Sequence, residues 1–190
     1  MGNKFYISDT HFGHAGTWER FKNPDGTPLR PFTSTEEMDE KMIENWNSVV
    51  GQYDTVYHCG DVVIGNKHLE KIRRLNGKKK LIMGNHDIFK VKSYEAVGFY
   101  DCVAYRVFVD EFVLSHMPIH PDSISARFIA NVHGHLHGNR VMKLKHVQGH
   151  NLIYSDTEVD PRYFSVCVEQ INYTPISHED LKAAIQKTLS

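Results

Sequence analysis

The chain has 190 residues, of which 41% are hydrophobic and 24% charged, enough to form one domain around a sizeable core. A formal net charge of -1 gives no broad electrostatic basis for binding nucleic acid or a membrane surface. No apolar run reaches spanning length, Met1–Lys4 shows no signal pattern, and Cys59, Cys102 and Cys167 form no CxxC pair, which argues against a disulfide framework or zinc ribbon. The expectation is one cytoplasmic domain over residues 1–190.

Lys4–Ser8 is a short apolar run that predicts a first strand, with Asp9 at its end. Asn23–Pro28 is loop by composition. Ser34 and Glu37 have the S-x-x-E spacing of a capping box. Met38, Met42, Trp46 and Val49 follow at helical spacing and are expected to face the core. Thr55–Cys59 predicts a second strand that runs into Gly60-Asp61. A short helix is expected over Lys67–Leu75, stopped by Asn76-Gly77. Lys80–Met83 predicts a third strand, ending at Gly84-Asn85. This alternation implies a parallel, crossover-connected sheet. Beyond Tyr100, Arg106–Val109 and Phe112–Ser115 read as a hairpin about Asp110-Glu111. Ala130–His133, Asn151–Tyr154 and Tyr163–Glu169 read as further strands, and an amphipathic helix starts at Ser177 and runs through Leu189.

Chemistry-bearing residues gather at the strand ends. They read Asp9-Thr10-His11, Gly60-Asp61, Gly84-Asn85-His86-Asp87, His116, and Gly134-His135-Leu136-His137. Ligands of open α/β sheets bind beyond the carboxyl ends of strands, so one rim collects the first three clusters. Carboxylate, amide and imidazole donors suit borderline divalent transition metals. One site could take Asp9, His11, Asp61 and His137, and a second Asp61, Asn85, His116 and His135, with the Asp61 carboxylate shared. Two such ions would activate a bridging water as hydroxide for attack on phosphorus. His86 is then left over as an imidazole able to donate to a phosphoryl oxygen or protonate a leaving group. A closed structural zinc site would want four ligands, commonly with cysteine, and does not match this set.

These motifs, D-T-H, G-D, G-N-H-D, S-H-M-P and G-H-L-H, resemble the calcineurin-like metallophosphoesterase superfamily, in particular its small single-domain bacterial and phage-type members. The resemblance implies a four-layer α/β/β/α sandwich, a dinuclear centre with the ligands named above, and His86 as the catalytic imidazole. Gly60–Gly65 lacks the second Asp and the Arg of the longer G-D-x-x-D-R-G segment, which sets the chain apart from protein-phosphatase-like members. The expected activity is hydrolysis of a small phosphodiester, possible substrates including a nucleotide, with two divalent ions, manganese first and iron, zinc or nickel as alternatives. Phosphomonoester hydrolysis, a nuclease and a non-catalytic scaffold of the same fold are the rival readings. A nuclease would want clustered Lys and Arg.

Of the remaining residues, His14 is a candidate substrate contact, and Arg30 a candidate phosphate anchor because guanidinium matches phosphate oxygens. His58 reads as a core or supporting residue, His133 as either supporting or not, and His68, His120, His146, His150 and His178 as surface residues.

Overall fold

The computed structural model describes residues 2–23, 25–108, 110–124, 127–148 and 151–189. Pro24, Val109 and His150 lie outside the described residues. So does the side chain of His146.

Two sheets build the molecule. The first contains β1 (Lys4–Ile7), β2 (Thr55–His58), β3 (Lys78–Ile82), β4 (Phe99–Val103) and β11 (Ile176–Ser177), in the order β11-β1-β2-β3-β4. The strands β1 to β4 are parallel and β11 is antiparallel to β1. The second contains β5 (Tyr105–Val107), β6 (Glu111–Ser115), β7 (Phe128–His133) and β10 (Tyr163–Ser165), in the order β10-β7-β6-β5. There β5 and β6 form the expected antiparallel hairpin, while β6, β7 and β10 run parallel. A separate hairpin pairs β8 (Met142–Gln148) with β9 (Asn151–Val159). The helices are α1 (Gly16–Glu19), α2 (Thr35–Val49), α3 (Val91–Ala96) and α4 (His178–Leu189), with 3-10 turns at Asn66–Arg74 and Pro121–Ser123. No described helix is long and apolar enough to cross a membrane.

Alternation along each strand splits the core in two, as a period of two requires. Phe5, Ile7, Val56 and Leu81 point to a cluster with Met38, Met42 and Trp46 of α2. Tyr6, Tyr57, Cys59 and Ile82 point the other way, onto Phe112, Leu114, Ala130 and Val132 of the second sheet. The closing helix α4 adds Leu181 and Ile185 to this inter-sheet core. Burying side chains of this size stabilises the fold by about 1.5–3 kcal/mol each.

Helix α2 departs from expectation at both ends. Ser34 caps it, accepting from Glu37 N at 3.0 Å. The Glu37 carboxylate, however, takes Thr33 N at 2.8 Å rather than returning to Ser34, so one half of the capping box is displaced by a residue. At the other end Val49 is 39% exposed and Val50 carries the burial, at 1%. The helix stops there because Val50 is extended, with ψ of 119°.

Parallel register brings the motifs together. Ile7 pairs with His58, and His58 with Leu81, so the three strands reach their carboxyl ends on one rim. Strands β6 and β7 likewise end side by side, with Gly134 N donating to His116 O at 2.9 Å. Ser8 then stitches the sheets, donating to Val166 O at 2.8 Å and bridging to Cys167.

Candidate metal centre

Five of the seven expected ligands sit on left-handed backbone: Asp9 (φ 57°), His11 (47°), Asp61 (59°), His135 (71°) and His137 (51°). Only three other described non-glycine residues do so. Such conformations cost of order 1–3 kcal/mol each and persist where surroundings over-determine them. Here the surroundings are backbone hydrogen bonds between the motifs. Asp9 N donates to Gly60 O at 2.9 Å, and His11 N to Asp61 O at 3.0 Å. The turns re-aim each side chain away from the sheet, back over the rim. Gly60, at φ 95°, also allows a close approach, since a Cβ there would lie 2.6 Å from His116 Nδ1.

The ligand atoms form two overlapping groups, one of Asp9, His11 and His137, the other of Asp9, Asp61 and His116. Asp9 Oδ1 is 3.7 Å from His11 Nε2 and 3.8 Å from His137 Nε2. Asp61 Oδ2 lies between two imidazoles, 3.5 Å from His11 Nε2 and 3.4 Å from His116 Nε2. Asn85 Oδ1 is 2.9 Å from His116 Nε2. His135 stands against His116 with ring centroids 5.2 Å apart, and His137 stacks on His11 at 5.3 Å. The structure thus brings all seven residues to one place, with Asp9 common to both groups.

A cation fits this donor set. Asp9 Oδ2 accepts from Ser8 Oγ (2.5 Å) and His135 N (2.9 Å), whereas the equally buried Oδ1 has no hydrogen-bond partner. Leaving a buried carboxylate oxygen without a partner is costly. His116 Nδ1 faces the Cys59 carbonyl at 2.8 Å. A carbonyl can only accept, so Nδ1 carries the proton and Nε2 offers a lone pair toward Asn85 Oδ1 and Asp61 Oδ2. Three acceptors converging call for a positive charge. Burial works against a charge on His116, yet its bond to Asp61 and the nearby Asp9 raise its pKa above the ordinary value. Burial also disfavours charge on Asp9, but His11 and its neighbouring imidazoles hold the carboxyl well below the usual range.

Several supporting residues gain their roles only from the structure. Asp87 ties two of them together, its Oδ2 accepting from Asp61 N at 2.7 Å and Gly84 N at 2.8 Å, its Oδ1 from Val62 N at 3.0 Å. Glu169 Oε1 accepts from His137 Nδ1 at 3.0 Å, which turns the other ring nitrogen toward Asp9. Burial would lower the His137 pKa, but Glu169 raises it above its usual value. Gly134 lies so near Ser8 and Asp9 that a Cβ there would collide with both side chains. The signals for Asp87 and the glycines were present in the motifs themselves. For Glu169 there was none, since its partner is 32 residues away.

Arg30 corrects its expectation as a phosphate anchor. The side chain is fully buried. It donates to Asp9 O (2.5 Å), Thr10 O (2.9 Å) and Glu169 Oε1 (2.8 Å), which leaves the guanidinium committed beneath the site. His14 is half-buried, its ring 5.5 Å from that of His11. Burial, then the charges of His11 and Arg30, push its pKa down to about 4. His86 is exposed at the mouth, its ring 5.4 Å from that of His11 and its backbone N held by Asp61 Oδ1 at 2.8 Å.

His58 is buried against Trp46. Gly60 N donates to its Nδ1 at 3.2 Å, and Thr10 Oγ1, which itself donates to Val62 O, lies 2.9 Å from Nε2. Nε2 is therefore the protonated nitrogen, and His58 supports the turn without reaching the ligand atoms. His133 is buried, with Nδ1 2.8 Å from Gly134 O and its ring beside Tyr163, also a supporting position. His120 is exposed. His68 and His178 are half-buried instead of surface residues, and the His178 ring is held by Tyr6 OH at 2.8 Å.

The fold and rim define a class. Residues 5–180 match the calcineurin-like phosphoesterase family, and the chain belongs to it. The chemistry of that family is metal-dependent hydrolysis of phosphoesters, and the two-sheet α/β architecture is its fold. An uncharacterized protein of Methanocaldococcus jannaschii is 32% identical over 192 residues, covering 98% of this chain and 93% of its own. The gene 66 protein of Mycobacterium phage L5 is 36% identical over 92 residues, 46% of this chain and 41% of its own. A crystal structure of a protein of unknown function from Aquifex aeolicus superposes with a TM-score of 0.64 at 24% identity, over 96% of this chain and 99% of that one.

Proposed function

We propose that this phosphoesterase hydrolyses a small phosphodiester with a pair of divalent transition-metal ions, manganese first among metals suited to such donors. Asp9, His11, Asp61 and His137 would hold one ion, and Asp61, Asn85, His116 and His135 the other. The observation that carries the reading is the Asp61 carboxylate, whose Oδ2 lies 3.5 Å from His11 Nε2 and 3.4 Å from His116 Nε2. When bound, the ions activate water and neutralise phosphoryl oxygens.

The chain's own residues supply the remainder. Asp9 and Glu169 fix the two sides of His137. Asp61 fixes the backbone of His86, which leaves that imidazole at the mouth, free to donate to a phosphoryl oxygen or to the departing alkoxide or phenoxide. His14, uncharged near neutral pH, lines the same side and can hydrogen-bond an ester oxygen without adding charge.

The test is hydrolysis of bis-p-nitrophenyl phosphate against p-nitrophenyl phosphate by manganese-loaded protein, with metal content measured in parallel. Two ions per chain and a preference for the diester are expected. A strong preference for the monoester assigns a phosphatase instead. No turnover of either by fully loaded protein assigns a scaffold.

A further inference from the structure

We infer that the groove beside Asn85 and His116 is the subsite for an uncharged apolar substituent of the ester, an aryl group above all. This inference rests on the hydrolytic reading of the metal centre and names what its substrate carries.

The groove measures about 680 Å³ and shares Gly84, Asn85 and His116 with the centre. Its floor follows from strand alternation. In β6, Phe112 and Leu114 enter the core between the sheets, so Val113 and Ser115 face outward. In β5, Val107 pairs with Val113 and Tyr105 with Ser115, which puts these four side chains on one outer face. Phe128 of β7 and Met83 complete the walls.

The hydroxyl on the floor of the groove, that of Ser115, is already engaged. Ser115 Oγ donates to Met117 O at 2.6 Å and accepts from Asn131 Nδ2 at 2.9 Å. Asn131 spends its Oδ1 on Ile119 N at 3.0 Å. No Asp, Glu, Lys or Arg is among the described residues that line the groove. A charged substituent would lose its hydration over this floor without a charged partner to replace it. An aryl group would lose none, and would bury its face against Val113, Val107 and Phe128. Tyr105 and Met117, 65% and 49% exposed, stand at the rim as surfaces that an aryl substituent would cover. The continuity with Asn85 and His116 is what commits the groove to part of the ester. A phosphorus atom near the ligands places one of its substituents in it.

The test compares p-nitrophenyl methyl phosphate with p-nitrophenyl phenyl phosphate. In both, a water oxygen bonds to phosphorus and p-nitrophenolate departs, so only the retained group differs. Calorimetry with methylphosphonate and phenylphosphonate on manganese-loaded protein gives a readout independent of turnover. The phenyl compounds are expected to win by at least about tenfold in kcat/KM and in affinity. Val113→Asn should erase that preference while leaving the methyl ester unchanged. Val107→Asp, at a 38% exposed position that tolerates a charge, should do the same if Val113→Asn fails to fold. Equal binding of the two phosphonates overturns the inference, as does a preference that survives both variants. A dimer that dissociates on Val107→Asp also overturns it, by showing that a second copy fills the groove. Selective, Val113-dependent binding of phenylphosphonate with no hydrolysis of either ester keeps the subsite and defeats the hydrolytic reading.

Discussion

Glu169 and His137 are joined across the rim, Oε1 to Nδ1, at 3.0 Å. The bond selects the tautomer of His137 and aims Nε2 at the site. Carboxylates behind metal-binding histidines typically carry 10–100-fold of affinity. Glu169→Gln is accordingly expected to weaken manganese binding by about 10–100-fold, read by calorimetry. Unchanged affinity would show that packing alone orients the ring.

Arg30 lies beneath the same pair. Replacing it by Met removes the donor from two carbonyls and leaves the Glu169 carboxylate buried without its guanidinium. Breaking a buried pair from one side costs about 3–5 kcal/mol. Urea denaturation should show a loss of that order for Arg30→Met. A variant of normal stability but raised KM would restore Arg30 as a substrate anchor.

His86 is exposed and donates to Asp61 through its backbone N. His86→Ala should therefore leave metal content near the parent value and lower kcat by about 10²–10⁴-fold. Asp61→Asn should instead reduce the metal count itself, since it takes charge from the shared carboxylate. Full turnover by His86→Ala defeats the assignment.

Metal removal should cost stability as well as activity. Ligands that bind only the folded state stabilise it by mass action, about 2.7 kcal/mol at a concentration 100 times Kd. A chelator is expected to lower Tm, and excess manganese to restore it. An identical Tm with and without manganese would mean that the buried oxygen of Asp9 holds no ion.

His58 should set part of the acid limb. Burial lowers its pKa from 6.5 to about 3, so between those values the unfolded chain takes up a proton that the folded chain refuses. Stability from this residue is thus complete above about pH 6.5 and declines as pH falls toward 3, by about 1.4 kcal/mol per pH unit for a fully shifted group. His58→Gln, which cannot titrate, should flatten that part of the profile of urea unfolding against pH. An unchanged slope would place the acid sensitivity elsewhere.

The seven clustered candidate ligands were legible because each lies in a short turn directly after a strand, where local sequence sets both backbone and chemistry. Parallel register then did the assembling, which the strand and helix alternation had already implied. The hidden part consists of long-range partnerships. Arg30 and Glu169 meet across 139 positions, and nothing near Arg30 distinguishes a buried clamp from a surface cation. Val49 shows a different limit, since helical spacing nominated it while the helix end handed burial to Val50. In β8, Met142 and Leu144 alternate with Lys143 and Lys145, and the charged half of that pattern masks a separate hairpin.

The left-handed ligand turns carry an evolutionary corollary. At Asp9, His11, Asp61, His135 and His137, exchange for glycine would relieve the backbone while deleting a donor. At Asp9 and Asp61 the exchange would also strand backbone donors, those of His135 and His86, so relief of strain and loss of hydrogen bonds oppose each other there. Sequence drift at these turns is therefore constrained by two opposed terms, backbone strain on one side and lost partners on the other.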